Sequence, residues 1–598
     1  MSSMKHHFWT TFKSNYWLLR YSIIFGLLLW AIGVFSQQQT LLSGERTTEI
    51  VRRYSILYPQ DWYFDSRLVN RKELTQWAWN LVNTKPLSAV GVADMRYILM
   101  EHNDVLPSYE KTDAEQLEYI DSTYTFQQYS NTQVLDGPIS NPKIYSRKPI
   151  LRHFYRTPLF LYEVDDDAFT LRIQPILTGV LGSSELFENH RGIKVRASID
   201  RKVWLETSFL ESQSAFPSYL NQWINTFKTI PGQGLYKRYT SSLFGVSNGY
   251  DYLNAQANIQ FNITRHIQGQ FGYGQNPLGY GIRSLFLSDF ANNYLYLKLN
   301  TRVWKFNYQN LFGELAAESA NGKRGDDLLP KKYFAAHHLS INILPRLELG
   351  LYETVVFNRS RQFELQYLNP VILYRSVEHN LGSPDNVLLG LDASWILADQ
   401  VRLYGQLILD EFRLKEIRAN RGWWGNKSGW QLGLEYTNVA HIDHLDLQLE
   451  WNRVRPYTYA HRDSLSNYSH FFQPLAHPLG ANFNEMLALI NYRPLSAWTM
   501  SLKLAKINQG LDGPSENWGS NILLPYTTRQ QDYGNLVGQG IDTDVFWGYL
   551  NIQFEFKPGL YLQAFYLHRN QKSSLVQQNE SYFGVGICWN RLFQPVIL

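Results

Sequence analysis

Apolar and polar residues alternate one by one along most of the chain after residue 165. In the run 253–263 every second residue is apolar, and every residue between is Asn or Gln. Successive side chains of a β-strand point to opposite faces, so this run predicts a strand with one apolar face and one neutral polar face. The alternation recurs in the runs 193–200, 430–436, 445–452, 498–505, 550–556 and 582–589.

Two architectures contain strands of this kind. A soluble β-sandwich or propeller turns the apolar faces inward, whereas a transmembrane barrel turns them outward into lipid. Several runs reach about 9–11 residues, enough to cross a bilayer when tilted, while soluble strands average about 5–6 residues. Aromatic residues also mark the ends of the apolar faces, as the interfacial girdles of membrane barrels require. These residues include Trp430, Tyr436, Trp451, Trp498 and Trp589.

The connections between the runs also favour the barrel. Tight connections such as 200–202 and 557–559 alternate with long ones such as 454–483 and 507–543, and outer-membrane barrels have short periplasmic turns and longer external loops. At about 24–27 residues per strand and connection, the part of the chain after residue 165 holds roughly 16 to 18 strands. The predicted fold is an all-β transmembrane antiparallel β-barrel over residues 161–598.

The first 36 residues have the order of a secretory signal peptide. Residues 1–20 carry basic residues and no acidic one, and an apolar run follows over 21–35. Val34 and Ser36 are small residues at the −3 and −1 spacing of a cleavage site. The alternative, a membrane anchor, needs about 20 apolar residues. We therefore expect cleavage after Ser36 and a location in the outer membrane of a Gram-negative bacterium.

Residues 37–160 lack the long alternation and predict a small, mainly helical region on the periplasmic side of the barrel. Helical spacing joins Leu74, Trp77 and Leu81 in one stripe. A second stripe follows Pro86 and comprises Val92, Met95, Leu99 and His102. A third helical stripe at 216–227 interrupts the early strands, and we expect it over or inside the barrel mouth.

Composition excludes several classes of protein. Of the 598 residues 15% are aromatic and only 18% are charged, with a mean hydropathy of −0.32. A disordered chain would lack these core-forming residues, and a helical membrane bundle would need several long apolar runs. The net charge of +4 and the absence of a basic stripe argue against nucleic acid as a partner. Cys588 is the single cysteine, which excludes an intrachain disulfide and CxxC-type sites.

Candidate hydrolase residues are better explained by structure than by catalysis. His338 and Ser340 form an H-x-S pair on a predicted strand whose apolar residues face the other way, so both point to the lumen. Outer-membrane phospholipases carry such a pair on the lipid-facing side. Asp392 and the pair Asp410–Glu411 could form glycosidase carboxylates, but large barrels hold many inward charges that pair with basic residues. We predict a non-enzymatic protein without a cofactor.

Two acidic clusters offer oxygen ligands of the calcium type, the run 165–167 and the pair Asp542 and Asp544. Neither has the loop spacing of a calcium site. Solvated turns explain both clusters, and we predict no metal.

Five segments together resemble the Wzi capsule-assembly family of outer-membrane proteins, closest to its Bacteroidota gliding-motility branch, described as RemB-like. The segments are 274–284 (GQNPLGYGIRS), 367–378 (YLNPVILYRSVE), 422–427 (GWWGNK), 454–459 (VRPYTY) and 473–480 (QPLAHPLG). The resemblance implies an 18-stranded barrel with a helical periplasmic region. It further implies a surface lectin that holds exported capsular polysaccharide, or a role in adhesion and gliding.

Binding of a polysaccharide needs aromatic faces for sugar rings and planar polar groups for hydroxyls and acids. Trp423 and Trp424, between glycines, form a candidate on an exposed loop. The other candidates are Arg455, Tyr457 and Tyr459 beside a long loop, and Arg375 and Glu378 in the NP…YR..E segment, expected inside the barrel. For each, an interfacial girdle or a lumen ion pair is the alternative.

The sequence thus predicts a barrel for attachment or assembly of surface polysaccharide, with lipid and possible motility or secretion machinery as further partners. A porin-like or secretion-associated barrel is one alternative, since the lumen face is polar. An outer-membrane hydrolase is the other.

Overall fold

The structure is a computed structural model. It describes residues 46–60, 62, 69–105, 154–155, 157–166, 168–318, 328–359, 362–371, 373–382 and 385–590. The predicted signal peptide and much of the predicted 37–160 region lie outside the described residues. The boundaries at 36 and 160 therefore stay predictions.

The described residues form helices and strands with the following bounds. The helices are α1 Arg46–Leu57, α2 Arg71–Thr84, α3 Ala89–Glu101, α4 Ser218–Phe227, α5 Tyr374–Leu381 and α6 Leu414–Ala419. The first eleven strands are β1 Tyr162–Asp165, β2 Phe169–Gly182, β3 Phe187–Ile199, β4 Val203–Ala215, β5 Tyr236–Ser241, β6 Val246–Asn262, β7 Ile267–Gly274, β8 Tyr294–Val303, β9 Phe306–Ala316, β10 Lys331–Leu344 and β11 Leu347–Phe357. The others are β12 Asn386–Ala398, β13 Val401–Glu411, β14 Lys427–Tyr436, β15 Leu445–Val454, β16 Ser469–His470, β17 Gln473–Pro474, β18 Phe483–Tyr492, β19 Trp498–Leu511, β20 Ile541–Lys557, β21 Leu560–Ser573 and β22 Gln577–Trp589.

Eighteen strands form one closed antiparallel barrel, which confirms the predicted fold. Strands β1 and β5 are short additions to β2 and β6, and β16 and β17 form a separate hairpin. Every other strand pairs with its neighbours in chain order, and β22 closes the ring on β2, with Trp589 opposite Leu177 and Gly584 opposite Gly182. None of the described helices is long and apolar enough to cross a membrane.

The barrel is inside out relative to a soluble protein, as the alternation predicts. On β6 the outward side chains of Leu253 and Ile259 are 51% and 41% exposed, while the inward Gln260 is 3% exposed. At an edge of the outward face Trp430 meets Trp451 edge to face, with ring centroids 4.6 Å apart. An exposed apolar belt with an aromatic rim is stable in lipid and costly in water.

The two ends of the barrel differ in their connections. One end, the short-turn end, has connections such as 304–305, 345–346 and 558–559. The other, the long-loop end, carries 275–293 and 455–482 among its connections. In outer-membrane barrels the short turns face the periplasm.

Helices α1–α3 pack at the short-turn end, against inward-facing side chains of the wall. Arg46 pairs with Glu555 at 2.5 Å, and Arg52 and Arg53 donate to Glu435 and Asp446. The two helical stripes predicted for this region are largely buried, with Leu74, Leu81, Met95 and Leu99 at 5% exposure or less. Asn70 and Ser88 cap α2 and α3 by accepting hydrogen bonds from backbone N–H groups.

Candidate functional site

The connection 275–293 turns into the barrel from the long-loop end and bonds to inward-facing side chains. Glu450 accepts hydrogen bonds from the backbone N–H groups of Ile282 and Arg283 at 2.7 and 3.1 Å, and Gln406 accepts one from Leu285 at 2.8 Å. Arg52 of α1 donates to the carbonyl oxygen of Tyr280. The inserted loop therefore reaches the helices that enter from the opposite end.

The connection 455–482 fills the mouth above this loop. Tyr459 donates to the carbonyl oxygen of Leu285 at 2.9 Å, and its backbone N–H donates to Asp410 of the wall at 2.8 Å. Lys332 donates to the carbonyl oxygen of Asn467 at 2.8 Å, and this hydrogen bond is also buried. Helix α4 also lies in the mouth, as its stripe predicts, because the Ser218 N–H donates to the inward-facing Tyr582 hydroxyl at 3.1 Å.

Above the filled mouth, two loops meet and form a half-buried aromatic and basic cluster. Backbone hydrogen bonds of 2.9 Å join Trp424 to Asp532, Gly534 to Arg421, and Asn535 to Gly422. Gly422 has φ +65°, and a Cβ there would lie 2.8 Å from the Asn535 nitrogen, so glycine is required for this close approach. The sequence thus fixes Trp424 beside the loop 512–540.

The rings and guanidinium groups of this cluster stack on one another. We define the aromatic–arginine surface as Trp423, Trp424, Tyr526, Arg413 and Arg529. The centroid of the Trp424 ring lies 4.8 Å from that of Tyr526, and the Arg529 guanidinium lies 4.2 Å from the centroid of the same Trp424 ring. Arg413 lies 4.6 Å over Trp423. Such cation–π contacts fix ring orientation and contribute about 0.5–1 kcal/mol each at exposed sites.

Two further predicted site residues support this surface from below. The buried Tyr457 ring meets Trp424 edge to face at 6.5 Å and donates its hydroxyl hydrogen to Asn517 O at 3.0 Å. Burial raises the pKa of Tyr457 to about 12. Arg455 donates to the carbonyl oxygens of Asn426 and Trp423. Burial also lowers the pKa of Arg455 from its usual 12.5, and its bonds keep the tryptophan loop in place.

The remaining predicted site residues lie elsewhere. Tyr459 is fully buried and stacks on Tyr468 at 5.7 Å. Arg375 and Glu378 form an ion pair of 3.1 Å on α5. That helix packs against the outside of the wall, so the expectation that these two residues lie inside the barrel is wrong. The residues of this connection alone give no signal for its fold-back, because the polar residues that it covers lie on the wall strands.

All hydrolase candidates except Ser340 are held in structural contacts. His338 bonds to Asp392 at 2.9 Å on the inward face, and the buried Ser340 hydroxyl has no hydrogen-bond partner among the described residues. Lys427 lies 2.9 Å from Asp410 and 3.4 Å from Glu411, so one ammonium group faces both carboxylates.

The calcium candidates are likewise occupied by protein groups. Asn508 donates to both Asp542 and Asp544, at 2.7 and 3.2 Å. Arg172 lies 2.7 Å from Asp165. Asp167 lies outside the described residues.

Sequence reasoning missed Tyr526, Arg529 and Arg413. Tyr526 and Arg529 lie in the long connection 507–543, which has no periodic pattern. They contact Trp424 across about a hundred residues of sequence. A usable signal was the clustering of aromatic and arginine residues in this loop, with Tyr526, Arg529 and Tyr533 within eight positions.

The inside-out wall, the aromatic rim and the unequal ends define a transmembrane β-barrel of the outer-membrane type, with a lumen occupied by its own chain. Among solved structures the chain is similar to Wzi of Escherichia coli, an outer-membrane protein involved in group 1 capsule assembly and a carbohydrate-binding β-barrel. The TM-score is 0.52 at 11% identity, over 93% of this chain and 100% of that one. The expected similarity to Wzi is thus confirmed for the fold.

Two porin structures match less closely. OprD of Pseudomonas aeruginosa has a TM-score of 0.38 at 11% identity, over 71% of this chain and 95% of its own. OccAB4 of Acinetobacter baumannii has 0.37 at 7% identity, over 71% and 98%. No protein-family model matches the chain, and no curated protein matches its sequence.

Proposed function

We propose that this protein is a non-enzymatic outer-membrane barrel that binds an acidic surface polysaccharide on its aromatic–arginine surface. The observation that carries the proposal is the stacked arrangement of the half-buried Trp423 and Trp424 with arginine above a filled mouth. Flat indole faces suit the C–H faces of sugar rings, and guanidinium groups suit carboxylates. Binding of this kind would attach or help assemble a capsule at the cell surface.

The charge around the tryptophans supports an acidic sugar. The connection 412–426 carries four basic residues, Arg413, Lys415, Arg418 and Arg421, and one acidic residue, Glu416. Glu416 is paired with Arg421 at 2.8 Å, and Asp532 with Arg529 at 2.6 Å. The facing loop 512–540 carries Asp512, Glu516 and Asp532 against one basic residue, Arg529. The excess of positive charge therefore lies on the connection 412–426, where it attracts a polyanion.

A porin-like channel is the second candidate function. The observation that favours it is the polar inward face of the wall, which suits a path for solutes. The inserted loop 275–293, the connection 455–482 and helices α1–α3 occupy that path from both ends. This filling favours the polysaccharide-binding proposal over the channel.

The RemB-like relationship and a gliding role rest on the sequence motifs alone, and so do motility or secretion partners. Deletion of the gene distinguishes a gliding role from polysaccharide attachment. Loss of retained capsule with normal gliding supports polysaccharide attachment, whereas normal capsule with impaired gliding supports the motility role.

A glycan array or capsule pull-down with the purified full-length protein tests the proposal. We expect binding by wild type and at least tenfold weaker binding by a Trp423→Ala/Trp424→Ala variant, about 1.4 kcal/mol, because tryptophans commonly dominate the energetics of interfaces. Arg413→Gln should weaken acidic ligands more than neutral ones. A Trp395→Ala/Trp498→Ala variant is the matched control, since these two exposed tryptophans lie at the short-turn end. Absence of binding for wild type, or equal binding by both double variants, contradicts the proposal.

A further inference from the structure

The connection between β11 and β12 folds back onto the outer wall of the barrel. We name the described part of residues 362–382, which includes α5, the external strap. Its aromatic side chains pack on outward-facing rings of the wall. The Phe363 ring lies 5.1 Å from Phe357, and the Tyr367 ring lies 4.9 Å from Phe357.

Strand register shows that the strap lies on the lipid-facing side. Leu351 is 47% exposed on the outward face of β11, and Glu353, two residues further, shares that face. Glu353 is opposite His337 on β10, which in turn is opposite Asn310 on β9. The intervening Tyr352 points inward, where its hydroxyl bonds to Tyr468 at 2.8 Å.

The strap covers polar groups that would otherwise face the membrane. Asn310, His337 and Glu353 are only 2%, 6% and 4% exposed. Glu353 accepts hydrogen bonds from the backbone N–H groups of Tyr374 and Arg375 at 2.9 and 3.1 Å, so its carboxylate caps the first turn of α5. Asn310 donates to the carbonyl oxygen of Pro370 at 3.1 Å, and the His337 ring lies 4.0 Å from Tyr374.

The outward surface of the strap has an apolar part between residues 365 and 373, where Gln366 and Asn369 are also exposed. On α5 the exposed residues are polar, namely Arg375, Ser376, His379 and Asn380. Four aliphatic side chains are exposed in the apolar part, above the polar groups of the wall. They are Leu365 at 73%, Leu368 at 39%, Val371 at 81% and Leu373 at 61%. Four adjoining side chains with this exposure would be unfavourable in water, and they continue the exposed belt formed by Leu349 and Leu351.

The height of the belt places the strap within the membrane. On β20 the exposed outward residues extend from Phe546 to Phe556, which spans about 33 Å along a strand and about 25 Å along a barrel axis, the usual height of the apolar band. On β11 the uncovered outward residues run only from Leu347 to Leu351, about 13 Å along the strand. The strap covers the next positions, to Phe357, and completes the band.

We propose that the external strap is seated in the outer leaflet, with Leu365, Leu368, Val371 and Leu373 in contact with lipid acyl chains. The strap makes this sector of the barrel two layers thick. It allows the wall to keep Asn310, His337 and Glu353 buried at membrane depth. The proposal stands apart from the polysaccharide site, because none of the strap residues belongs to the aromatic–arginine surface.

Site-directed spin labelling of the full-length protein in phosphatidylcholine bilayers tests this. In a Cys588→Ser background, single cysteines replace Leu365 or Val371 in the strap, Leu351 in the belt, or Lys415 in an exposed loop. Collision rates with oxygen and with a water-soluble nickel chelate report depth. We expect both strap labels to favour oxygen as the Leu351 label does, with a several-fold higher oxygen-to-nickel ratio than at Lys415. Heat-dependent gel migration checks that each variant is folded.

Two results overturn the proposal. Nickel accessibility at Leu365 and Val371 equal to that at Lys415 means that the strap lies in water. Low collision rates with both reagents, together with dipolar broadening between labels, mean that a second copy of the barrel covers the strap.

Discussion

At the residue scale, the aromatic–arginine surface depends on contacts between residues far apart in sequence. Trp424 is presented by a glycine-flanked turn, which the sequence displays, but its orientation comes from Tyr526 and Arg529. The tryptophan pair is therefore predictable as a candidate. Its arginine partners are not, because no local pattern shows which long loops meet.

The buried histidine His444 should make the docking of the helices depend on pH. Burial, with Arg53 and Arg493 nearby, lowers its pKa from 6.5 to about 4, and its Nε2 lies 2.5 Å from the Ser88 hydroxyl at the start of α3. Between about pH 4 and pH 6.5, His444 is protonated in the undocked state and neutral in the docked state. The stabilisation is therefore complete above about pH 6.5 and is lost as the pH falls toward 4.

Limited proteolysis of residues 46–105 between pH 7 and pH 4.5 measures this dependence. We expect faster cleavage at the lower pH in wild type and a shallower pH dependence in His444→Gln. Some pH dependence of cleavage should remain in His444→Gln, since burial also lowers the pKa of His102 in the same region. An unchanged pH dependence in His444→Gln would count against the assignment.

At the element scale, the strands follow directly from the alternation, whereas the external strap does not. A strand needs only its own period-two pattern and neighbours of the same kind. The strap is specified by Glu353 and His337, which interrupt an otherwise apolar outward face, and by aromatics more than ten residues later. Those interruptions are the signal in the sequence, but they do not indicate what covers them.

The helices at the short-turn end should be released when their central ion pair is broken. Glu435 pairs with Arg402 at 3.0 Å and also accepts from Arg52 of α1. Glu435→Gln leaves two guanidinium groups facing a neutral amide, and loss of one partner from a buried ion pair costs about 3–5 kcal/mol. We expect rapid trypsin cleavage of residues 46–105 while gel migration shows the barrel intact.

Asp399→Asn is the matched control for that variant. It breaks the Arg346–Asp399 pair at the same end, whose side chains are 45% and 74% exposed. Exposed pairs contribute about 1 kcal/mol or less, so cleavage should match wild type. Equal protection in Glu435→Gln and Asp399→Asn would show that the Arg52 contact does not hold the helices.

At the scale of the whole molecule, the wall was predictable and its contents were not. Closure at 18 strands lies within the range of 16–18 that follows from length and alternation. The occupied lumen arises from buried polar contacts such as Glu450 with Ile282 and Gln406 with Leu285. These groups look alike in an open polar channel and in a filled one, because both need polar residues on the inward face.

We propose that this barrel is closed by its own chain and acts at its outer surface. Planar-bilayer recording of the purified wild-type protein tests that claim most directly, with gel migration as evidence of folding. We expect no stable single-channel conductance, since the inserted loop, the connection 455–482 and helices α1–α3 obstruct the lumen. A stable, reproducible ohmic conductance from the folded wild-type barrel would contradict that claim and favour the porin-like function.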